Sequence, residues 1–147
     1  MYQRILVATD GSPLSRKAVD SAIELASLTG ADLVAVKVIP RYPESYFEGG
    51  VALAASDIRR IEQQWADDGQ AVVDAVETAG LAKGVKVKAL TVKSDLVGEA
   101  VIKAALKHKC DLIVMASHGR RGIKRLLMGS ETQHVLTHSH IPVLVLR

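Results

Sequence analysis

The chain reads as an α/β protein on a mostly parallel sheet, and three observations say so. Short apolar runs alternate with longer segments of helical period from one end to the other, the pattern of strand–helix–strand units joined by right-handed crossovers. The runs RILVA, LVAVKVI and DLIVM are almost continuously apolar. Such runs suit parallel strands covered on both faces, where alternation would be lost. Finally, 147 residues of which 48% are apolar suffice for one domain, spanning residues 1–147, around one core.

Each element has its own signal. Arg4 to Ala8 is the first strand, and Asp10-Gly11 turns the chain. Ser12 then serves as N-cap with Pro13 in the first helical turn. Leu14, Ala18, Ala22 and Leu25 recur at helical spacing until Gly30 ends the helix. Leu33 to Ile39 is a second strand closed by Pro40, and Arg41 to Gly50 reads as a loop. From about Ser56 to Ala79 a long helix carries Ile58, Ile61, Trp65, Val72 and Val76 on one side, with Gly80 as its stop. Val85 to Val92 is a third strand. Leu96 to His108 is a helix that packs through Val97, Val101, Ala104 and Ala105. Asp111 to Met115 is a fourth buried strand, roughly Ser130 to Thr137 a last helix, and Ile141 to Leu146 a closing strand. Pro142 cannot donate to a ladder, so that last strand belongs on an edge.

Composition excludes several functions. Lys and Arg exceed Asp and Glu by 19 − 16 = 3, and much of this excess is local, at Arg120, Arg121, Lys124 and Arg125. Such a cluster beside glycines suits a small anion better than a polyanion. Nucleic-acid binding calls for a longer basic stripe and exposed aromatics, and the chain holds only Tyr2, Tyr42, Tyr46, Phe47 and Trp65. A lone cysteine, Cys110, forbids an internal disulfide and reads as a small apolar residue. No signal-peptide stretch and no run of about 18 apolar residues occurs. The expectation is a soluble, cytoplasmic protein without nucleic-acid or membrane partners.

The chemistry concentrates in ASHGRRGIKRLLMGSET, residues 116–132, between the fourth strand and the last helix. Neither the P-loop pattern nor the dinucleotide fingerprint is present. Gly119 allows a sharp turn off the strand and a close ligand approach, and Gly129 does the same at the far end. Ser130 is placed to cap the helix, with Gln133 completing a capping box, while the first turn's N–H groups point at whatever lies above. Asp10 ends the first strand, so both segments can face one crevice at a topological switch point. His134, His138 and His140 stand close in sequence, but no carboxylate or cysteine nearby completes a metal set, and a solvated helix face is expected. No catalytic triad emerges.

Together ILVATDGS, CDLIVMASHG, the Gly129-Ser130 corner and HSHIPVLVLR resemble the universal stress protein family over essentially the whole chain. That resemblance implies a five-stranded parallel sheet in the order 3-2-1-4-5 with helices on both faces. It also implies ATP binding through G-x2-G-x9-G-[ST], with Mg or Mn arriving on the nucleotide. Ala116 replaces the first glycine of that motif. Alanine is harmless there if the backbone stays extended, as expected of a residue continuing a strand. By the same resemblance Asp10 would bond the ribose or adenine and Val38 would lie against adenine. Ala8 and Thr9 would line the pocket, and Met115 and Ala116 would flank the nucleoside. The backbone of Gly119, Gly129, Ser130, Glu131 and Thr132 would hold phosphates. Arg120 and Arg121 are added here as screens of phosphate charge. His118 either touches phosphate or caps a turn, and the Glu131 carboxylate is expected to face solvent. The family also implies a homodimer, here placed on residues 141–147, acting on client proteins in the stress response with little or no hydrolysis. A dimeric interaction protein without nucleotide, and a weak ATPase, are the alternatives.

Overall fold

The computed structural model describes residues 1–42, 54–118 and 128–147. Its elements are β1 (Arg4–Ala8), α1 (Pro13–Thr29), β2 (Asp32–Ile39), α2 (Ala55–Ala82), β3 (Val87–Lys93), α3 (Val97–Lys107), β4 (Leu112–Ala116), α4 (Ser130–His138) and β5 (Val143–Leu146). The sheet has five strands in the order β3-β2-β1-β4-β5, every pair parallel. The chain walks outward from β1 to β3, then crosses back to β4. With right-handed crossovers that places α1 and α2 on one face and α3 and α4 on the other.

The central strands bury both faces. Ile5, Val7, Leu33, Ala35, Leu112 and Val114 pack with α1 and α2 residues in one cluster. Leu6, Val34, Val36, Ile113 and Met115 pack with α3 and α4 in another. Every residue of β4 is buried, which is why its sequence shows no alternation. In α1, Ala18, Ala22 and Ala26 are the fully enclosed residues, so the helix lies close on β1 and β4.

Ser12 is the N-cap of α1, accepting the Ser15 N–H, with Pro13 in the first turn. Gly30 ends the helix at φ 74, as its position predicts. Helix α2 departs from expectation. Gly80 does not stop it, because the helix runs on to Ala82 and the left-handed residue is Gly84, at φ 74. A glycine inside a helix costs about 1 kcal/mol against alanine, so it needs a reason. Here the reason is steric: a Cβ on Gly80 would stand 2.3 Å from Val87 Cγ2 of β3. On the α2 stripe Val76 is buried as expected, but Val73 is the fully buried residue where Val72 was expected, and Val72 is only half-buried. Trp65 stacks on Tyr42, ring centroids 6.1 Å apart. Pro142 stands just before edge strand β5, and its carbonyl accepts the Ile113 N–H.

Candidate functional site

Strands β1 and β4 lie side by side, yet the chain leaves them for opposite faces, β1 into α1 and β4 into α4. Neighbouring strands whose connections diverge leave a crevice at their carboxyl ends. Ala8, Val38 and Met115 come from β1, β2 and β4 and share the α3/α4 face of the sheet. Val38 and Met115 are almost fully buried, so only Ala8 of the three is partly open.

The β1–α1 turn is closed by its own side chains. Asp10 Oδ1 accepts the Ser12 N–H at 2.9 Å, and Thr9 Oγ1 accepts the Gly11 N–H at 3.3 Å. The Thr9 hydroxyl also bonds Ser15 Oγ at 3.1 Å, so it faces α1 rather than the crevice it was expected to line. Gly11 sits at φ 80, a left-handed conformation that favours glycine.

The entry to α4 is built differently. Its N-cap is Gly129, at φ −61 and ψ 150, with no side-chain cap. Ser130 is therefore the first helical residue, and the expected Ser130–Gln133 capping box is not formed. The helix starts one residue earlier than the hydroxyl requires: Gln133 N–H bonds the Gly129 carbonyl at 3.0 Å. Gly129's dihedrals are open to any residue, so the expected glycine-only turn is absent too. Its N–H is not available to a phosphate either, since it donates to the Ser117 carbonyl at 2.7 Å. That leaves the N–H groups of Ser130, Glu131 and Thr132, the first turn of the helix, which bond no backbone carbonyl among the described residues.

In the first turn of α4 the Glu131 and Thr132 side chains are engaged by neighbouring elements. Thr132 is buried and its hydroxyl donates to the Ala116 carbonyl at 2.9 Å, tying α4 to the end of β4. Glu131 belongs to an exposed residue position, but its carboxylate is engaged: Oε2 accepts the Gly98 N–H at 2.7 Å. Gly98 lies in the first turn of α3, whose N-cap Leu96 has no polar side chain to offer. Glu131 thus caps a neighbouring helix. The two helices touch there closely, since a Cβ on Gly98 would lie 2.9 Å from His134 Cδ2. His118 Nδ1 shares a hydrogen bond with Ser117 Oγ at 3.2 Å.

The sequence pattern of the universal stress proteins matches this chain over residues 1–147. The chain belongs to the universal stress protein family. Universal stress protein MJ0531 of Methanocaldococcus jannaschii is 31% identical over 147 residues, which cover all of this chain and 83% of the relative. Universal stress protein YxiE of Bacillus subtilis is 29% identical over 149 residues, covering both chains fully. Among solved structures, that of the protein MJ0577 superimposes with a TM-score of 0.83 at 25% identity, covering 99% of this chain and 96% of the other. A universal stress protein solved in complex with cAMP superimposes with a TM-score of 0.71 at 27% identity, covering 99% and 97%.

The family motif therefore maps onto the β4–α4 connection. Ala116, at its first glycine position, is the last residue of β4 and pairs with Leu146, so alanine meets no strained backbone there. Gly119 and Arg120 lie outside the described residues, as do Arg121, Lys124 and Arg125. The histidines expected on a solvated face are partly so: His138 is exposed, while the half-buried His134 stacks on it at 4.2 Å. Cys110 is buried, and burial pushes its thiol up to about 11. Sequence reading missed the Glu131–Gly98 bond, which joins residues 33 apart with no local signature. It also missed a groove of about 410 Å³ between β3 and α3, whose lining among the described residues includes none of the expected site residues.

Proposed function

We propose that residues 1–147 act as one universal stress protein domain that binds an adenine nucleotide at the β1–β4 crevice. The phosphates sit on the first turn of α4 and the nucleoside lies toward Ala8, Asp10, Val38, Met115 and Ala116. The observation that carries this reading is the uncapped start of α4 beside the switch point. A helix N-terminus with free N–H groups and a partial positive charge is a ready anion site. The relative solved with cAMP, similar over nearly its whole length, supports an adenylate as the anion. ATP is the finer assignment, and it follows the motif G-x9-G-S at Gly119 and Gly129-Ser130. The donor set fits a phosphate because it is made of backbone N–H groups and the Glu131 carboxylate of the same turn is engaged by the Gly98 N–H. Mg or Mn would arrive on the phosphates; among the described residues no group of three or more metal-binding side chains gathers.

The protein works as a regulatory homodimer in the stress response, with client proteins as partners and little or no hydrolysis. The apolar edge strand β5, with Leu144 exposed, suits pairing across residues 141–147. The place proposed for the protein is the cytoplasm; no helix among the described residues is long and apolar enough to cross a membrane.

Gly129→Val tests the site cleanly, because the backbone there accepts a side chain. A Cβ at Gly129 meets its nearest atoms, His118 Cα and the Ser117 carbonyl oxygen, at 3.4 Å. Calorimetric titration with Mg-ATP and with cAMP should show binding to the natural chain and at least about a tenfold loss in Gly129→Val, with circular dichroism unchanged. Absence of binding to the natural chain, together with no adenine nucleotide released on denaturation, refutes nucleotide binding and leaves the interaction protein. Phosphate release above background refutes the low-hydrolysis reading.

A further inference from the structure

We propose that the groove between β3 and α3 binds a single-chain acyl carboxylate, with the head group at Lys88 and Lys107 and the chain along Leu90, Val92, Ala100 and Ala104. The groove exists because of the topology. Five strands span roughly 24 Å, while two helices cover about 20 Å. On the α1/α2 face, α2 lies over β3. On the other face α3 must cross back toward β4, so it lies over the middle of the sheet, and among the described residues no helix covers the β3 row.

That row has a useful order. Lys88, Leu90 and Val92 pair with Val34, Val36 and Val38, so all three stand on the α3/α4 face. Going up β3, a cation is followed by apolar side chains. Helix α3 runs the opposite way and supplies the matching wall: Lys107 at the foot, then Ala104, Ala100 and exposed Leu96 above it.

Charge sets the sign and the direction of the occupant. Among the described residues, the lining holds Arg41, Lys93, Lys103 and Lys107 against the carboxylate of Glu99. Lys93 is paired with Glu62, and Lys103 with Glu99 at 2.9 Å. Asp95 bonds the Arg41 N–H at the upper end. The surplus positive charge therefore gathers at the foot, where Lys107 has no ion pair among the described residues. His108 reports it: burial first, then Lys88, Lys107 and Arg4, hold its imidazole below the ordinary range. An anionic head belongs at that end, and an apolar chain above it.

Size admits a single acyl chain. Between its caps α3 rises about 18 Å. The groove along it holds about 410 Å³. That volume is ordinary for small-molecule sites.

Dodecanoate, titrated below its micelle concentration into the full chain, tests the proposal by calorimetry and by the NMR pH titration of His108. The expected result is saturable one-to-one binding, with the His108 pKa raised by the bound carboxylate. Lys88→Glu/Lys107→Glu should weaken binding at least about tenfold. Both lysines are exposed, so the fold should survive, and Lys107→Met with a several-fold loss serves if it does not. Gly129→Val should bind dodecanoate normally. No saturable heat, unchanged affinity in the lysine variants, equal binding of dodecyltrimethylammonium, or an acidic helical peptide that displaces dodecanoate would each overturn it.

Discussion

Helices α1 and α4 both start at the carboxyl ends of the central strands, one after β1 and one after β4. At α1, Asp10, Thr9 and Ser12 spend their side-chain oxygens on the N–H groups of Ser12, Gly11 and Ser15. Pro13 has no N–H to satisfy. At α4 the same residue types are present, but none serves its own helix. Ser130 comes one position too late to cap, Glu131 caps α3, and Thr132 reaches down to Ala116. The contrast teaches that a stable fold need not close every helix end. Side chains that hold α4 against β4 and α3 let its first turn stay open on the crevice, where an anion finds donors already in place.

The contrast can be broken in order of size. Gly11→Ala should cost about 1–2 kcal/mol in urea denaturation, because φ 80 places a Cβ in the left-handed region. The equivalent change at α4, Gly129→Ala, should cost less than about 1 kcal/mol, since its dihedrals are ordinary. If the two glycines cost alike, the difference between the entries is wrong. Glu131→Ala should lower stability by about 1–2 kcal/mol by uncapping α3, with Glu131→Gln recovering most of it. In hydrogen exchange, the amide of Gly98 should lose protection in the alanine variant. Ser12→Ala should cost about 1 kcal/mol as a lost N-cap. Ser130→Ala should change stability by no more than a few tenths of a kcal/mol. A loss at Ser130 equal to that at Ser12 would restore the capping box and remove the open helix end.

Local signals were legible in the residues themselves. The strands appeared as apolar runs, α1 by Ser12-Pro13 and Gly30, and the β4–α4 segment by its glycines and basic cluster. Family resemblance supplied the strand order. Errors came where a residue's reason was not local. Gly80 looked like a stop because nothing in sequence shows Val87 pressed against it. Ser130 looked like a cap because helix registry is decided by which carbonyl Gln133 finds, and that is Gly129's.

The amino-acid sequence alone determined the alternation of strands and helices, the closed turn into α1 and the place of the β4–α4 connection, since each depends on neighbours a few residues apart. Tertiary structure decided which polar side chains were spent on other elements, which helix end stayed open and where the sheet was left bare. Those outcomes depend on contacts such as Glu131 with Gly98 and on the return path of α3 across the sheet. Only a folded chain brings residues so far apart within hydrogen-bonding distance.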